Sequence, residues 1–292
     1  MFGVSAARVA AWEHAAADPI EPVWTREREG GTHCRLSRAG DVLVVAGGHF
    51  VMALAAATGA VLWESPIEAG RMFVTSIAIS HSDELVGLSY QDMHGNLDIF
   101  SLATGALVTT IDCSEHTEET DFRGMDFMSG GRVVAVSEDF GKLQIFSIDE
   151  GALLEEWTDD GAQPNGVAVD DRDNCFVSCA ELQMSKWHSG EQLAQMDSSP
   201  NAYGITQCAA LDPDAKARRL LGAAFAHVAI FDADSCEPLA RFSLPGEQYH
   251  IHSVRGNGAG TVGGVFQRHY LPEDAGATPF GLFYRTVPLD RQ

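Results

Sequence analysis

Apolar residues in this chain come in short alternating runs, and the runs come in pairs around a small polar turn. The first clear pair is Val51-Met52-Ala53-Leu54-Ala55 and Val61-Leu62-Trp63, joined through Thr58-Gly59. It returns as Leu97-Asp98-Ile99-Phe100-Ser101 with Thr104-Gly105 and Leu107-Val108, and as Leu143-Gln144-Ile145-Phe146-Ser147 with Glu150-Gly151 and Leu153-Leu154. Two further copies run from Leu182 to Leu193 around Gly190 and from Val228 to Leu239, with Cys236 in the glycine place. β-Branched and aromatic residues alternate with polar ones on both sides of each turn, which predicts a β-hairpin rather than a helix.

Upstream of each hairpin lies a second strand pair that ends in small residues. Val44-Val45-Ala46-Gly47-Gly48, Val86-Gly87-Leu88-Ser89, Val134-Ala135-Val136-Ser137, Val177-Ser178-Cys179-Ala180, Leu221-Gly222-Ala223-Ala224 and Val262-Gly263-Gly264-Val265 form the series. Small side chains suit strands where several sheets crowd toward one axis. The turn positions 59, 105, 151, 190 and 236 lie 46, 46, 39 and 46 residues apart, a period that belongs to stacked four-stranded units. The expectation is an all-β chain, a β-propeller of four-stranded antiparallel blades over residues 1–292 as one domain. Six inner pairs and six outer hairpins predict six blades, counting Val9–His14 running into Ile20–Trp24 as the first hairpin. The chain then begins with an outer hairpin and ends with an inner pair, so N-terminal strands would pair with the C-terminal blade and close the ring. A strand over Phe280–Arg285 would instead allow seven.

Three segments resemble known propeller families. Ala53 to Trp63 resembles the tryptophan-docking motif of quinoprotein-type repeats, A-x-D-x-x-T-G-x-x-x-W, with Ala55 in the aspartate place. Ser137-Glu138-Asp139-Phe140-Gly141-Lys142-Leu143-Gln144-Ile145-Phe146 resembles a WD-repeat blade with phenylalanine in the tryptophan place. Pro164-Asn165-Gly166-Val167-Ala168-Val169-Asp170 with Cys175-Phe176-Val177-Ser178 is similar to an NHL repeat. The resemblance implies the ring fold. In WD-repeat blades a histidine, a serine or threonine, an aspartate and a tryptophan form a hydrogen-bonded chain. Phe100 and Phe146 have no N–H to donate and would break it.

Charge narrows the partners. Nineteen basic residues, of which only Lys142, Lys186 and Lys216 are lysines, stand against 41 acidic ones, for a net charge of −22. Such a surface repels phosphate backbones and anionic lipid and favours a protein partner with a basic surface. The densest acidic stretch, Asp112 to Asp121, lacks the glycine and ligand alternation of a hard-cation loop and reads as a solvated loop. No apolar run approaches the ~20 residues of a membrane-spanning helix, so no membrane insertion is expected. Met1 to Ala17 carries only Arg8 as a positive charge and is interrupted by Trp12, Glu13 and His14, unlike a secretory signal. The six cysteines, at 34, 113, 175, 179, 208 and 236, show no C-x-x-C. Cys175 and Cys179 stand about 13 Å apart along one strand, too far to bridge. Reduced thiols suit the cytoplasm or another reducing compartment.

Candidate binding residues fall in the loops that a propeller gathers on its faces. His49, Tyr90, Asp92, Glu138, His227, Arg268 and Tyr270 supply aromatic groups beside charges, the makings of a contact hot spot. The reading is a non-catalytic protein-interaction scaffold or assembly subunit, with no cofactor. No G-x-S-x-G elbow, P-loop or H-E-x-x-H motif is present. The alternative is a metal-dependent hydrolase or lyase, of the lactonase or streptogramin-lyase kind. Its site would lie at the axial mouth, with His49, His227 and His269 joined by Asp92 or Glu138.

Overall fold

The computed structural model describes residues 2–5, 8–12, 22–27, 31–71, 73–91, 95–114, 122–137, 141–158, 164–179, 183–197, 206–211, 218–224, 227–243, 249–256, 261–268 and 280–286. Nearly all of them are strand or tight turn, and every strand pair is antiparallel. Among them no helix is long and apolar enough to cross a membrane.

The chain divides into two compact units, Met1–Thr158 and Asp159–Gln292. In the first unit, β1 (Phe2–Ser5), β2 (Arg8–Trp12) and β3 (Pro22–Glu27) form a three-stranded sheet. Three four-stranded meanders follow. They are β4 (Gly31–Leu36), β5 (Val42–Gly47), β6 (Phe50–Ala55), β7 (Val61–Pro66); β8 (Phe73–Ile79), β9 (Leu85–Gln91), β10 (Leu97–Ser101), β11 (Leu107–Ile111); and β12 (Phe122–Met128), β13 (Arg132–Ser137), β14 (Lys142–Ser147), β15 (Leu153–Thr158). The second unit has β16 (Pro164–Val169), β17 (Cys175–Cys179), β18 (Gln183–His188), β19 (Glu191–Asp197); then β20 (Thr206–Leu211), β21 (Arg219–Ala224), β22 (His227–Asp232), β23 (Pro238–Ser243). It ends in a three-stranded sheet of β24 (Tyr249–Gly256), β25 (Thr261–Arg268) and β26 (Phe280–Thr286).

These are the blades expected from the hairpin repeat, each with strands in sequence order. The end sheets carry strands beyond the repeated hairpins. Phe2–Ser5 adds a strand to the first hairpin, and Phe280–Thr286 pairs along β25 from Gln267↔Phe280 to Thr261↔Thr286. The described residues form seven sheets, five of four strands and two of three. Among the described residues β2 pairs with β1 on one side and β3 on the other.

Each four-stranded sheet is graded across its width. The second and third strands are buried almost throughout, as in β5 from Leu43 to Gly47 and in β13 from Val133 to Ser137, whereas outer strands such as β7 and β11 expose more of their residues. Apolar layers lie between successive sheets. Ile77, Ile79, Val86, Leu88, Tyr90 and Phe100 pack with Val44, Ala46 and Val51 of the preceding blade. Ile99, Ile111, Phe122, Phe127, Val133 and Phe146 form the next layer. The small second-strand residues act here. A side-chain carbon at Gly87 would collide with the Met125 methyl, so as packed the Met125 side chain fills the space that glycine leaves.

Candidate interaction surface

Antiparallel meanders place their turns alternately at two ends. In the first unit the turns β4–β5, β8–β9, β6–β7 and β10–β11 share one end, and they are bonded from sheet to sheet. Asp83 accepts the N–H groups of Arg38 and Ala39, both at 2.9 Å, from the turn of the preceding blade. Trp24 and Trp63 each donate an indole N–H to a turn carbonyl of the following blade, Ala56 at 2.9 Å and Leu102 at 2.7 Å. We call this the turn end. The β5–β6 turn and the β7–β8 and β11–β12 connections lie at the opposite, loop end.

His49 sits at the loop end in the two-residue turn before β6, and its side chain is exposed. Its carbonyl accepts the Ile67 N–H at 3.1 Å, which ties this turn to the β7–β8 connection. That connection is anchored twice more. Ile67 is buried, and Arg71 reaches the buried carboxylate of Asp98 at 3.3 Å. Asp98 also accepts the Tyr90 hydroxyl at 2.9 Å and the Thr110 hydroxyl at 2.7 Å, while the Arg71 guanidinium lies 5.5 Å from the Tyr90 ring centre. Glu68, exposed, stands 3.7 Å from Arg71. One carboxylate thus gathers donors from β9, β11 and a connection 27 residues upstream. Charge-assisted bonds of this kind hold a loop in one geometry.

This cluster corrects one expectation. Tyr90 is 0% exposed and belongs to the core between blades, so it is not a surface contact residue. The physical reason is strand alternation: Val86, Leu88 and Tyr90 share one face of β9, and that face is buried. His227, at the first position of β22, is exposed as expected. Arg268 closes β25, but its side chain lies outside the described residues, as do Asp92, Glu138, His269 and Tyr270. Of the expected metal ligands, only His49 and His227 lie among the described residues, one in each unit. Among the described residues no group of three or more His, Cys, Asp or Glu is placed to hold a metal ion.

Two features went unread in the sequence. The first is a bulge near the start of the first strand in six of the sheets, where one extra residue interrupts the register: Thr32, Thr75, Arg123, Asn165, Gln207 and His252. All six residues are polar. Thr75 shows the use of the position, for its hydroxyl donates to the Phe122 carbonyl of the next blade and accepts from Ser89. A polar residue within the first turn's length of each inner strand was the available signal.

The second is an ionic clamp in the second unit. Arg218 pairs with Asp170, with Asp171 at 3.3 Å and with Asp234 at 3.4 Å, joining the β16–β17 and β22–β23 turns. Lys186, buried, donates to the carbonyls of Ala233 at 2.9 Å and Asp234 at 3.2 Å and lies 5.5 Å from the Phe176 ring centre. Cys236 stands beside this clamp in a left-handed turn conformation, φ +62°. Burial raises its thiol above the ordinary value of 9.0; Lys186 acts in the opposite sense, and Asp232 and Asp234 add to the rise. A raised acid keeps its proton longer in the folded chain, so the stability it carries is intact below pH 9.0 and declines as pH rises above that value. Alkylation of Cys236 by iodoacetamide is expected to reach half its maximal rate above pH 9.0 in the native chain, and near it after denaturation.

A comparison with curated proteins found no match. A family model described as outer membrane protein assembly factor BamB matches residues 6–194, about two thirds of the chain. The match spans the tryptophan docks of β3 and β7. The chain therefore belongs to the BamB-like family of quinoprotein-like β-propellers.

Proposed function

We propose that this chain is a non-catalytic protein-interaction scaffold or a subunit of a larger assembly, and that it binds a partner with a basic surface through its loop-end connections. The observation that carries the reading is the difference between the two ends. At the turn end Trp24, Trp63 and Asp83 are taken up by bonds between blades. At the loop end the exposed His49 sits on a turn held by the Ile67 and Arg71–Asp98 anchors. In sequence, Asp92 falls between β9 and β10, Glu115, Glu118, Glu119 and Asp121 between β11 and β12, and Glu138 between β13 and β14. Rigidly anchored loops lose little entropy on binding, and an acidic set steers basic partners. The family's description as an assembly factor is said of the protein it names, and it supports the same class here. The absence of any C-x-x-C among the six cysteines of the sequence supports a reducing intracellular compartment.

The test is affinity capture of the tagged chain from its own cells, read by native mass spectrometry, beside a variant carrying His49→Ala, Asp92→Lys and Glu138→Lys. A stoichiometric protein partner is expected, bound at least about tenfold more weakly by the variant. Retention of that partner at full affinity by a folded variant overturns the loop-end reading, and a monomer carrying one bound metal ion overturns the scaffold reading.

A further inference from the structure

Successive blades of the first unit are joined through a notch at the turn end. On β3, Trp24 lies over Gly59 so closely that a side-chain carbon at Gly59 would stand 2.6 Å from the indole, and Nε1 bonds the Ala56 carbonyl. Trp63 on β7 repeats the arrangement at Gly105, at 2.5 Å, with Nε1 on the Leu102 carbonyl. All three glycines of this series have the same left-handed conformation, φ +68° at Gly59, +71° at Gly105 and +63° at Gly151.

Among the described residues the third notch is empty of any such ring. Trp63 faces Ala53 across its hairpin, and the residue facing the equivalent Ile99 on β11 is Thr109. A threonine is several ångströms shorter than an indole. Nothing lies within 4 Å of the position a side-chain carbon would take at Gly151, and Ile148 is the counterpart of Ala56 and Leu102. The second unit shows that a short docking residue can be compensated. There the docking position is Ala194, and its cross-strand partner Lys186 supplies the donor to Ala233, again the counterpart carbonyl. The cross-strand partner of Thr109 is Ile99, which has no donor to offer.

Charge distinguishes the third notch as well. Ala57-Thr58 and Ala103-Thr104 precede the glycine in the filled notches, whereas Asp149-Glu150, both exposed, precede Gly151. A ligand here therefore meets the Ile148 carbonyl, in the place where the filled notches bond an N–H donor, and two carboxylates. We propose that the notch over Gly151 receives a tryptophan of a partner polypeptide, flanked by basic residues. The indole takes the place that Trp24 and Trp63 take in the preceding notches, and the flanking cations meet Asp149 and Glu150. This goes beyond the loop-end reading and uses the opposite end, so either can fail alone.

The test is a titration of the ¹⁵N-labelled full chain with the peptide acetyl-Lys-Trp-Lys-amide, followed by amide shifts. Saturable shifts are expected at Gly151, Ala152 and Glu150. The same peptide with 1-methyltryptophan, which lacks the N–H, is expected to bind roughly fivefold more weakly, the loss of one hydrogen bond. Acetyl-Glu-Trp-Glu-amide is expected to bind at least about tenfold more weakly. Thr109→Trp, which fills the notch from within, is expected to abolish the shifts and raise Tm. Shifts that do not saturate, that fall outside residues 148–152 and β11, or that are indifferent to the methylated indole overturn the proposal, and the peptide comparisons need no variant to fold.

Discussion

Asp98→Ala is expected to lower the free energy of unfolding by about 3–5 kcal/mol, read by urea denaturation followed by tryptophan fluorescence. The carboxylate is 2% exposed and holds three donors, the Arg71 guanidinium and the hydroxyls of Tyr90 and Thr110. Removing it takes the buried counter-charge from a largely buried cation and the acceptor from two hydroxyls, and breaking such a pair costs more than the pair contributes. Arg71→Ala alone is expected to cost less, because water can reach a side chain that is 11% exposed and Asp98 keeps its two hydroxyl donors. The double variant should then cost little more than Asp98→Ala, since the two share one interaction. If Asp98→Ala costs under about 1 kcal/mol, the anchor beneath the loop end is not a structural element and the rigidity argued for His49 loses its basis.

The same cluster shows how far the sequence can be read. Hairpins, small-residue strands and the four-stranded unit were legible because each is set by a period-two pattern within about a dozen residues. The burial of Tyr90 was legible too, had the alternation of Val86, Leu88 and Tyr90 been followed to its end. Its partner was not. Arg71 precedes Asp98 by 27 residues, and nothing local marks which of 41 carboxylates an arginine will meet. The tryptophan motif was legible as a docking unit, but not its partner. Ala53 to Trp63 reads as a unit, but the indole acts on Leu102 and Gly105 of the next blade, about one repeat period downstream. A pattern that recurs identifies the unit well and its neighbour contacts poorly, since both partners look like interior positions of their own copies.

Glycine substitutions separate backbone strain from docking and so test the notch series directly. Gly105→Ala and Gly151→Ala place the same methyl group at φ +71° and +63°, and each forfeits about 1–2 kcal/mol for a side chain in the left-handed region. At Gly151 the methyl group meets open space, so the loss is expected to stop there. At Gly105 it would stand 2.5 Å from the Trp63 ring and 2.9 Å from the Ser65 hydroxyl, which itself donates to the Gly105 carbonyl at 2.6 Å. The ring must leave, and with it go its N–H bond to Leu102 and part of its buried area, for a total loss of about 3–5 kcal/mol. Trp63→Ala should cost a similar amount and should make a subsequent Gly105→Ala nearly as cheap as Gly151→Ala, whereas Gly151→Ala should add independently to either. Equal losses at the two glycines would mean that the docked indole contributes nothing to joining these blades. An empty notch at Gly151 would then have no reason to favour an indole from outside. Unequal losses that collapse on removal of Trp63 would give the free energy available to such an indole, because the notch is the same turn with its ring removed.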